Sequence, residues 1–171
     1  DFGSTPTLFQ KSGCPPQLVV VQKNGSLYLY DRDTIASGYR QRIAVGQPSL
    51  IGVVGYSEAT KLLYVVNPKG SVDGVYKPGL VAFRLTSACN LAPAWQTPAA
   101  IGIGSTPTIA AGVVYFAGGF SGKVYALDAV TGAELWNTGT TVTGPILAAP
   151  TVFNGRLYVA GYDGQLHAYR L

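Results

Sequence analysis

Apolar and polar residues alternate with a period of two through most of the chain, and Gly, Pro, Asn and Asp interrupt the alternation at short intervals. The clearest unit is Gly122 to Trp136, GKVYALDAVTGAELW. A Ser121-Gly122 turn leads into a strand in which Val124 and Ala126 alternate with Tyr125 and Leu127. A second turn covers Asp128 to Gly132, and an outer strand closes on Leu135 and Trp136. Alternation bounded by turn residues predicts a half-buried β-hairpin. No stretch sustains a 3.6-residue period, so no helix is expected.

The same unit recurs. A Ser/Ala-x-Pro-x-hydrophobic start occurs as Ser4-Thr-Pro-Thr-Leu8, Ser105-Thr-Pro-Thr-Ile109 and Ala148-Ala-Pro-Thr-Val152, with a looser version at Gly46-Gln-Pro-Ser-Leu50. The last two strong starts are 43 residues apart, and the looser start lies 43 residues beyond Gly3. Each start is followed by an apolar run: Leu18 to Val21, Leu62 to Val66, Val113 to Ala117 and Leu157 to Ala160. Three of the runs end in Gly turns, KNGS at 23–26, GFSG at 119–122 and GYDG at 161–164. A third strand follows each run, LYLYD (27–31), LVAFR (80–84), VYALD (124–128) and LHAYR (166–170). A fourth segment follows in three copies, at Tyr39 to Ile43, Ala94 to Gln96 and Glu134 to Trp136.

Four antiparallel strands in roughly 40–45 residues is the repeat of a β-propeller blade. The reading is an all-β arc of about four blades over 1–45, 46–103, 104–145 and 146–171, the last three-stranded and lacking its outer strand. An open arc exposes sheet edges and a flank, which closed propellers avoid. The arc is therefore expected to be part of a larger ring of about eight blades. An upstream segment or a second chain would supply the remaining blades, a second copy of this chain included.

Composition narrows the function classes. Charged residues are only 12% of the chain, and the net charge of +4 comes from twelve Lys/Arg scattered from Lys11 to Arg170. A nucleic-acid surface concentrates such residues into a patch, so no nucleic-acid partner is expected. No apolar run reaches the ~18 residues of a membrane span. The chain holds no Met and begins Asp1-Phe2-Gly3, which reads as a processed chain or a piece of a longer protein.

The segment STPTI…GVVYFAG…SGKVYALDAVTGAELW (105–136) resembles the repeat of the PQQ-type β-propellers, the quinoprotein alcohol dehydrogenase-like group. AAPTVFNGRLYVAGYDGQLHAYRL (148–171) is similar to that repeat without its outer strand. DFGSTPTLF with KNGSLYLYDRDT resembles the corresponding blade of polyvinyl alcohol dehydrogenase-like members. The resemblance covers essentially the whole chain and speaks to fold more than to activity. It implies a secreted or periplasmic protein. It also implies that outer-strand tryptophans tie blades together: Trp136 with Ala126 and Gly132, and Trp95 with Ala82. In the first blade Tyr39-Arg40 stands in that place.

A dehydrogenase of this group needs PQQ, a Ca²⁺ held by carboxylate and amide oxygens, and an Asp base. Many members also have adjacent cysteines, and no Cys-Cys pair is present here. Asp31, Asp33 and Asp128 fall in turns, and Glu58 lies on the face opposite the usual cofactor mouth. Only Asp1, Asp73 and Asp163 are placed to reach that mouth. No catalytic residue and no metal ligand set is expected within the chain. PQQ and calcium are expectations for the complete ring alone.

The expected function is a binding or scaffold module for a small-molecule or peptide ligand. The alternative is the C-terminal half of a PQQ/Ca²⁺-dependent (polyvinyl) alcohol dehydrogenase. The insertion Asn67 to Pro78, NPKGSVDGVYKP, offers Lys69, Asp73, Tyr76 and Lys77 for ligand contact, or is a tolerated surface insertion. Phe120, Tyr162 and Asp163 lie in turns of the same face. Cys14 and Cys89 fall on one face of adjacent blades, which allows a disulfide. His167, the only histidine, reads as a strand-surface residue, and Asn24-Gly-Ser26 as a hairpin turn rather than a glycosylation site.

Overall fold

A computed structural model describes residues 1–48, 52–99, 101–102 and 104–171. Among these residues fifteen strands form four antiparallel sheets, each a simple meander. The first sheet holds β1 (Thr7–Phe9), β2 (Gln17–Gln22), β3 (Ser26–Asp31) and β4 (Gln41–Ala44). The second holds β5 (Gly55–Ser57), β6 (Leu62–Asn67), β7 (Gly79–Leu85) and β8 (Leu91–Pro98). β9 (Thr108–Ala110), β10 (Val113–Gly118), β11 (Lys123–Asp128) and β12 (Glu134–Asn137) make the third. β13 (Thr151–Phe153), β14 (Arg156–Ala160) and β15 (Leu166–Arg170) make the last, which has three strands. The only helical pieces among the described residues are 3-10 turns at Arg32–Ser37 and Gly119–Ser121, too short to carry a 3.6-residue pattern. No helix there is long and apolar enough to cross a membrane.

The sheets stand face to face, with their first strands adjacent. Thr7 Oγ1 donates to the Val54 carbonyl at 2.6 Å, and Thr108 Oγ1 donates to the Pro150 carbonyl at 2.5 Å. This arrangement is an open stretch of β-propeller. It also corrects one repeat boundary. Val54 accepts as Pro150 does, so the second blade's start is Gly52 to Tyr56, which has lost both the Pro and the Thr. Ser49 and Leu50 of the Gly46-to-Leu50 start lie outside the described residues. Gly55 stands where other blades have Thr, and an added Cβ would lie 2.7 Å from Ile109 Cδ1 of the next blade.

Packing follows the pleat. Successive side chains on a strand point to opposite faces. Leu62, Tyr64 and Val66 of β6 therefore pack on Val114 and Phe116 of the third sheet, while Leu63 and Val65 pack on Val19 and Leu29 of the first. Tyr115, Ala117, Val124 and Ala126 meet Leu157 and Val159 of the fourth sheet. Both faces of the central strands of these two sheets are largely buried, which explains their near-continuous apolar runs.

Outer strands dock on the turn that joins the third and fourth strands of the next sheet. In the second sheet Trp95 pairs with Ala82 beside a register shift, and its ring lies against Gly132 of the third sheet. Thr97 Oγ1 adds a 2.6 Å hydrogen bond to the Gly132 carbonyl. Gly132 thus serves Trp95, not Trp136 of its own blade. In the first sheet the residue opposite Leu29 is Gln41, so Gln41 rather than Tyr39 or Arg40 holds this place. Gln41 Nε2 donates to the Leu91 carbonyl at 3.0 Å, and its Oε1 accepts from Leu91 N at 2.6 Å. Tyr39 instead packs on Tyr28, with ring centroids 5.4 Å apart. Cys14 and Cys89 form a disulfide across the same pair of sheets, with Cα atoms 5.6 Å apart.

Asn67 is fully buried and ties the base of the insertion. Its Nδ2 donates to the Val45 carbonyl at 2.6 Å, and its Oδ1 accepts from Gly70 N at 3.1 Å. Asn67→Ala strands both backbone groups and is expected to cost about 2 kcal/mol in urea denaturation. A loss below roughly 0.5 kcal/mol would show that the loop re-forms without it.

Candidate functional site: the turns on one face of the arc

Turns joining the second and third strands of each sheet sit against the segment entering that sheet. Lys23 N donates to the Asp1 carbonyl (3.1 Å), Phe120 N to Ile101 (3.2 Å) and Tyr162 N to Pro145 (3.0 Å). In the second sheet Gln47 Nε2 donates to the Lys69 carbonyl at 3.2 Å. The shared pattern puts Lys69, Phe120, Tyr162 and Asp163 on one face, in separate turns. Phe120 and Tyr162 are 66% and 70% exposed, a large apolar surface for turn residues.

The insertion takes a different course from a channel-lining loop. Lys77 N donates to Gln96 Oε1 at 2.9 Å and Gln96 Nε2 donates to the Val75 carbonyl at 3.1 Å. Gln96 belongs to β8, the outermost strand, so this loop folds towards the outer rim. Tyr76 is half-buried on Phe83, 5.7 Å between centroids, and burial pushes its hydroxyl pKa up. Asp73 is exposed, but its carboxylate accepts from Ser71 Oγ and Val75 N. The Ser71 hydroxyl is the main reason that its pKa lies below the usual value. Lys69 and Lys77 are exposed.

Asp163 is occupied in another way. Its Oδ2 lies 2.8 Å from His167 Nε2, while its Oδ1 accepts from Gln165 N and its Oδ2 from Thr143 N. The His167 hydrogen bond, with the two amides adding to it, holds the Asp163 carboxyl below the usual range. His167 also lies flat beside Tyr169, with centroids 6.4 Å apart. The sequence carries this pairing as an Asp and a His four residues apart across a turn, which reading each residue alone misses.

A depressed carboxyl pKa stabilises the fold above the unfolded value and loses that contribution as pH falls through the folded one. Asp163→Asn is therefore expected to lower the thermal midpoint at neutral pH. The gap to the parent should close below about pH 4, where the unfolded carboxylate is itself protonated. A gap that persists at pH 2 would assign the effect to turn geometry instead.

Ligand chemistry for a hard cation requires several oxygens converging on one point. Among the described residues no three His, Cys, Asp or Glu side chains come together in that way. Asp73 and Asp163 each turn inward to their own loops. The residues here do not by themselves fit a Ca²⁺ and quinone site.

A second concavity lies at the other end of the arc. Trp136, Tyr169, Ala110, Val113, Tyr115 and Val152 line an apolar groove of about 450 Å³ between the third and fourth sheets.

A family model described as outer membrane protein assembly factor BamB matches residues 86–170. Among solved structures, BamB from Moraxella catarrhalis is 22% identical with a TM-score of 0.67, covering 99% of this chain and 46% of that one. A quinohemoprotein alcohol dehydrogenase from Pseudomonas putida HK5 is 18% identical with a TM-score of 0.59, covering 92% of this chain and 34% of that one. A europium-containing methanol dehydrogenase is 16% identical with a TM-score of 0.62, covering 96% of this chain and 38% of that one. The chain thus spans less than half the length of these three structures, and identities this low speak for the fold alone. No curated protein matches the sequence. Repeat pattern, sheet topology and these likenesses agree: the chain is a stretch of β-propeller built from PQQ-type repeats.

Proposed function

We propose that this chain is an extracytoplasmic binding and scaffold module, secreted or periplasmic, within a ring of about eight blades. An upstream segment or a second chain supplies the remaining blades. The observation that carries this reading is the division of labour on the turn face. The Asp163 carboxylate there is consumed in holding its turn, while Phe120, Tyr162 and Lys69 are offered to solvent. Exposed aromatics beside a cation suit a peptide or a small polar ligand. The Cys14–Cys89 disulfide supports an oxidising compartment. The name of the matching family, an assembly factor, supports a partner-binding role.

Placing a photo-crosslinking amino acid at Phe120 in the native polypeptide tests this reading. A discrete adduct is expected, and it should be lost on Tyr162→Ala with Lys69→Ala while the thermal midpoint stays unchanged. Adducts that survive both substitutions would remove the turn face as the binding surface.

The likeness to two dehydrogenases supports a second reading, the C-terminal half of a PQQ/Ca²⁺-dependent alcohol dehydrogenase. In that case the Ca²⁺ ligands and the base come mainly from other blades. Dye reduction by the native polypeptide that requires both added quinone and Ca²⁺ would replace the scaffold reading with this one.

A further inference from the structure

Residues 68–78 join β6 to β7, whereas the corresponding connections in the other sheets are 23–25, 119–122 and 161–165. A blade closes without the extra length, so what this loop displays is not dictated by the repeat. It displays apolar surface: Val72 is 88% exposed and Val75 57%. The tip is also held in place. Ser71 N donates to the Tyr76 carbonyl at 2.8 Å, Gly74 N to the Ser71 carbonyl at 3.1 Å, and Tyr76 N to Ser71 Oγ at 2.9 Å. With Asn67 at its base and Gln96 at its side, the loop turns both valines outward. Surface ordered in advance loses little freedom on meeting a partner.

Between the loop and β8 lies a cleft of about 260 Å³, lined by Val75, Tyr76, Val81, Pro93, Trp95 and Gln96. Its form excludes two kinds of occupant. Small-molecule pockets run from roughly 300 to 1,000 Å³ and enclose most of their ligand, whereas one wall here is the exposed Val75. The space suits a single bulky side chain of a larger partner. An added strand is opposed as well. β8 is the outermost strand of its sheet, but Pro93 and Pro98 have no N–H, and the register shifts between Pro93 and Trp95. Charge narrows the choice further. Lys77 is exposed at the loop tip, where an added Cβ on Gly74 would lie 4.0 Å from its Nζ. Arg84, also exposed, donates from Nη1 to the Pro93 carbonyl at 2.9 Å. No carboxylate among the described residues forms an ion pair with either cation. Asp73, the one acid of the loop, is bound to Ser71 Oγ and Val75 N.

We propose that the outer rim of the second blade docks an acidic partner segment, in which a bulky apolar residue is flanked by carboxylates. The apolar side chain enters the cleft between the insertion and β8, with Val72 and Val75 beside it. The carboxylates on either side of it meet Lys77 and Arg84. Apolar burial supplies most of the affinity, and the two cations supply the selection. This rim is a different face from the turns that carry Phe120 and Tyr162, and the proposal does not rest on their role.

The probe is a fluorescein-labelled synthetic peptide, SGEFEGS, titrated with the native polypeptide and followed by anisotropy. Lys in place of both Glu residues, or Gly in place of the Phe, should weaken binding by about tenfold or more. Val75→Asp should weaken the parent peptide to a similar degree and leave the thermal midpoint unchanged, since the core makes no use of that side chain. Lys77→Glu with Arg84→Glu should invert the preference between the Glu and Lys peptides. Equal binding of those two peptides to the parent protein overturns the proposal, as does the absence of binding by any of them. Binding that survives Val75→Asp and is lost on Tyr162→Ala with Lys69→Ala would put the peptide on the turn face and overturn it too. Self-association of the polypeptide that Val75→Asp abolishes would make a second copy the occupant, with the same consequence. The crosslink at Phe120 involves neither Val75 nor Lys77, so refusal of the peptide removes the rim site and leaves the turn-face reading standing.

Discussion

Replacing Cys14 and Cys89 together by alanine should lower the unfolding free energy by about 4 kcal/mol, with the native contacts around the disulfide retained. The bond closes a loop of 75 residues in sequence. Chain entropy removed from the unfolded state by a closure of that length is worth about 4 kcal/mol. The neighbouring bonds do not depend on it. Gln17 Nε2 still reaches the Cys89 carbonyl at 3.0 Å, and Lys11 Nζ the Leu85 carbonyl at 2.9 Å. The pair variant should therefore fold, with a thermal midpoint lower by roughly 10 °C. Cys89 has a φ of 59°, a left-handed conformation that glycine adopts without strain. Cys14→Ala with Cys89→Gly should then recover about 1 kcal/mol relative to the double alanine. Urea denaturation of the three proteins decides it. A double-alanine loss under about 1 kcal/mol would place the inter-sheet stability in side-chain packing instead.

Blade count and strand order were legible because one physical signal repeats: alternation with a period of two, punctuated by turn residues. The second blade's first strand was not. Its marker, a Pro-x-hydrophobic start, is replaced by Val54-Gly55-Tyr56, and Gly55 is held there by the close approach of Ile109. Gln41 escaped notice for a related reason. A docking tryptophan announces itself, whereas a glutamine does the same work through two hydrogen bonds visible only when Leu91 is opposite. The candidate site divides likewise. That Lys69, Phe120, Tyr162 and Asp163 share a face follows from strand order. That Asp163 is taken up by His167, and that the insertion bends to β8 through Gln96, depends on side-chain bonds that composition does not encode.

Gly132→Ala is expected to cost about 3 kcal/mol, and Gly112→Ala only about 1, although both glycines have left-handed backbone. Their φ angles are nearly equal, 75° and 79°. Strain from placing an L side chain in that region is therefore common to both substitutions. What differs is the neighbour. A Cβ on Gly132 would lie 2.5 Å from Trp95 Cε3, 2.7 Å from Cδ2 and 2.9 Å from Thr97 Oγ1, whereas one on Gly112 would meet nothing within 4 Å. The ring cannot simply retreat, since Ala82 lies opposite it in the strand pair and Tyr64 packs beside it with centroids 5.9 Å apart. Relief must come from separating the second and third blades, which also stretches the hydrogen bond from Thr97 Oγ1 to the Gly132 carbonyl. A double-mutant cycle isolates this contact. In a Trp95→Ala background Gly132→Ala should fall to about 1 kcal/mol, matching Gly112→Ala and leaving a coupling of about 2 kcal/mol. Strict additivity would mean that Trp95 rests on Gly132 without pressing on it.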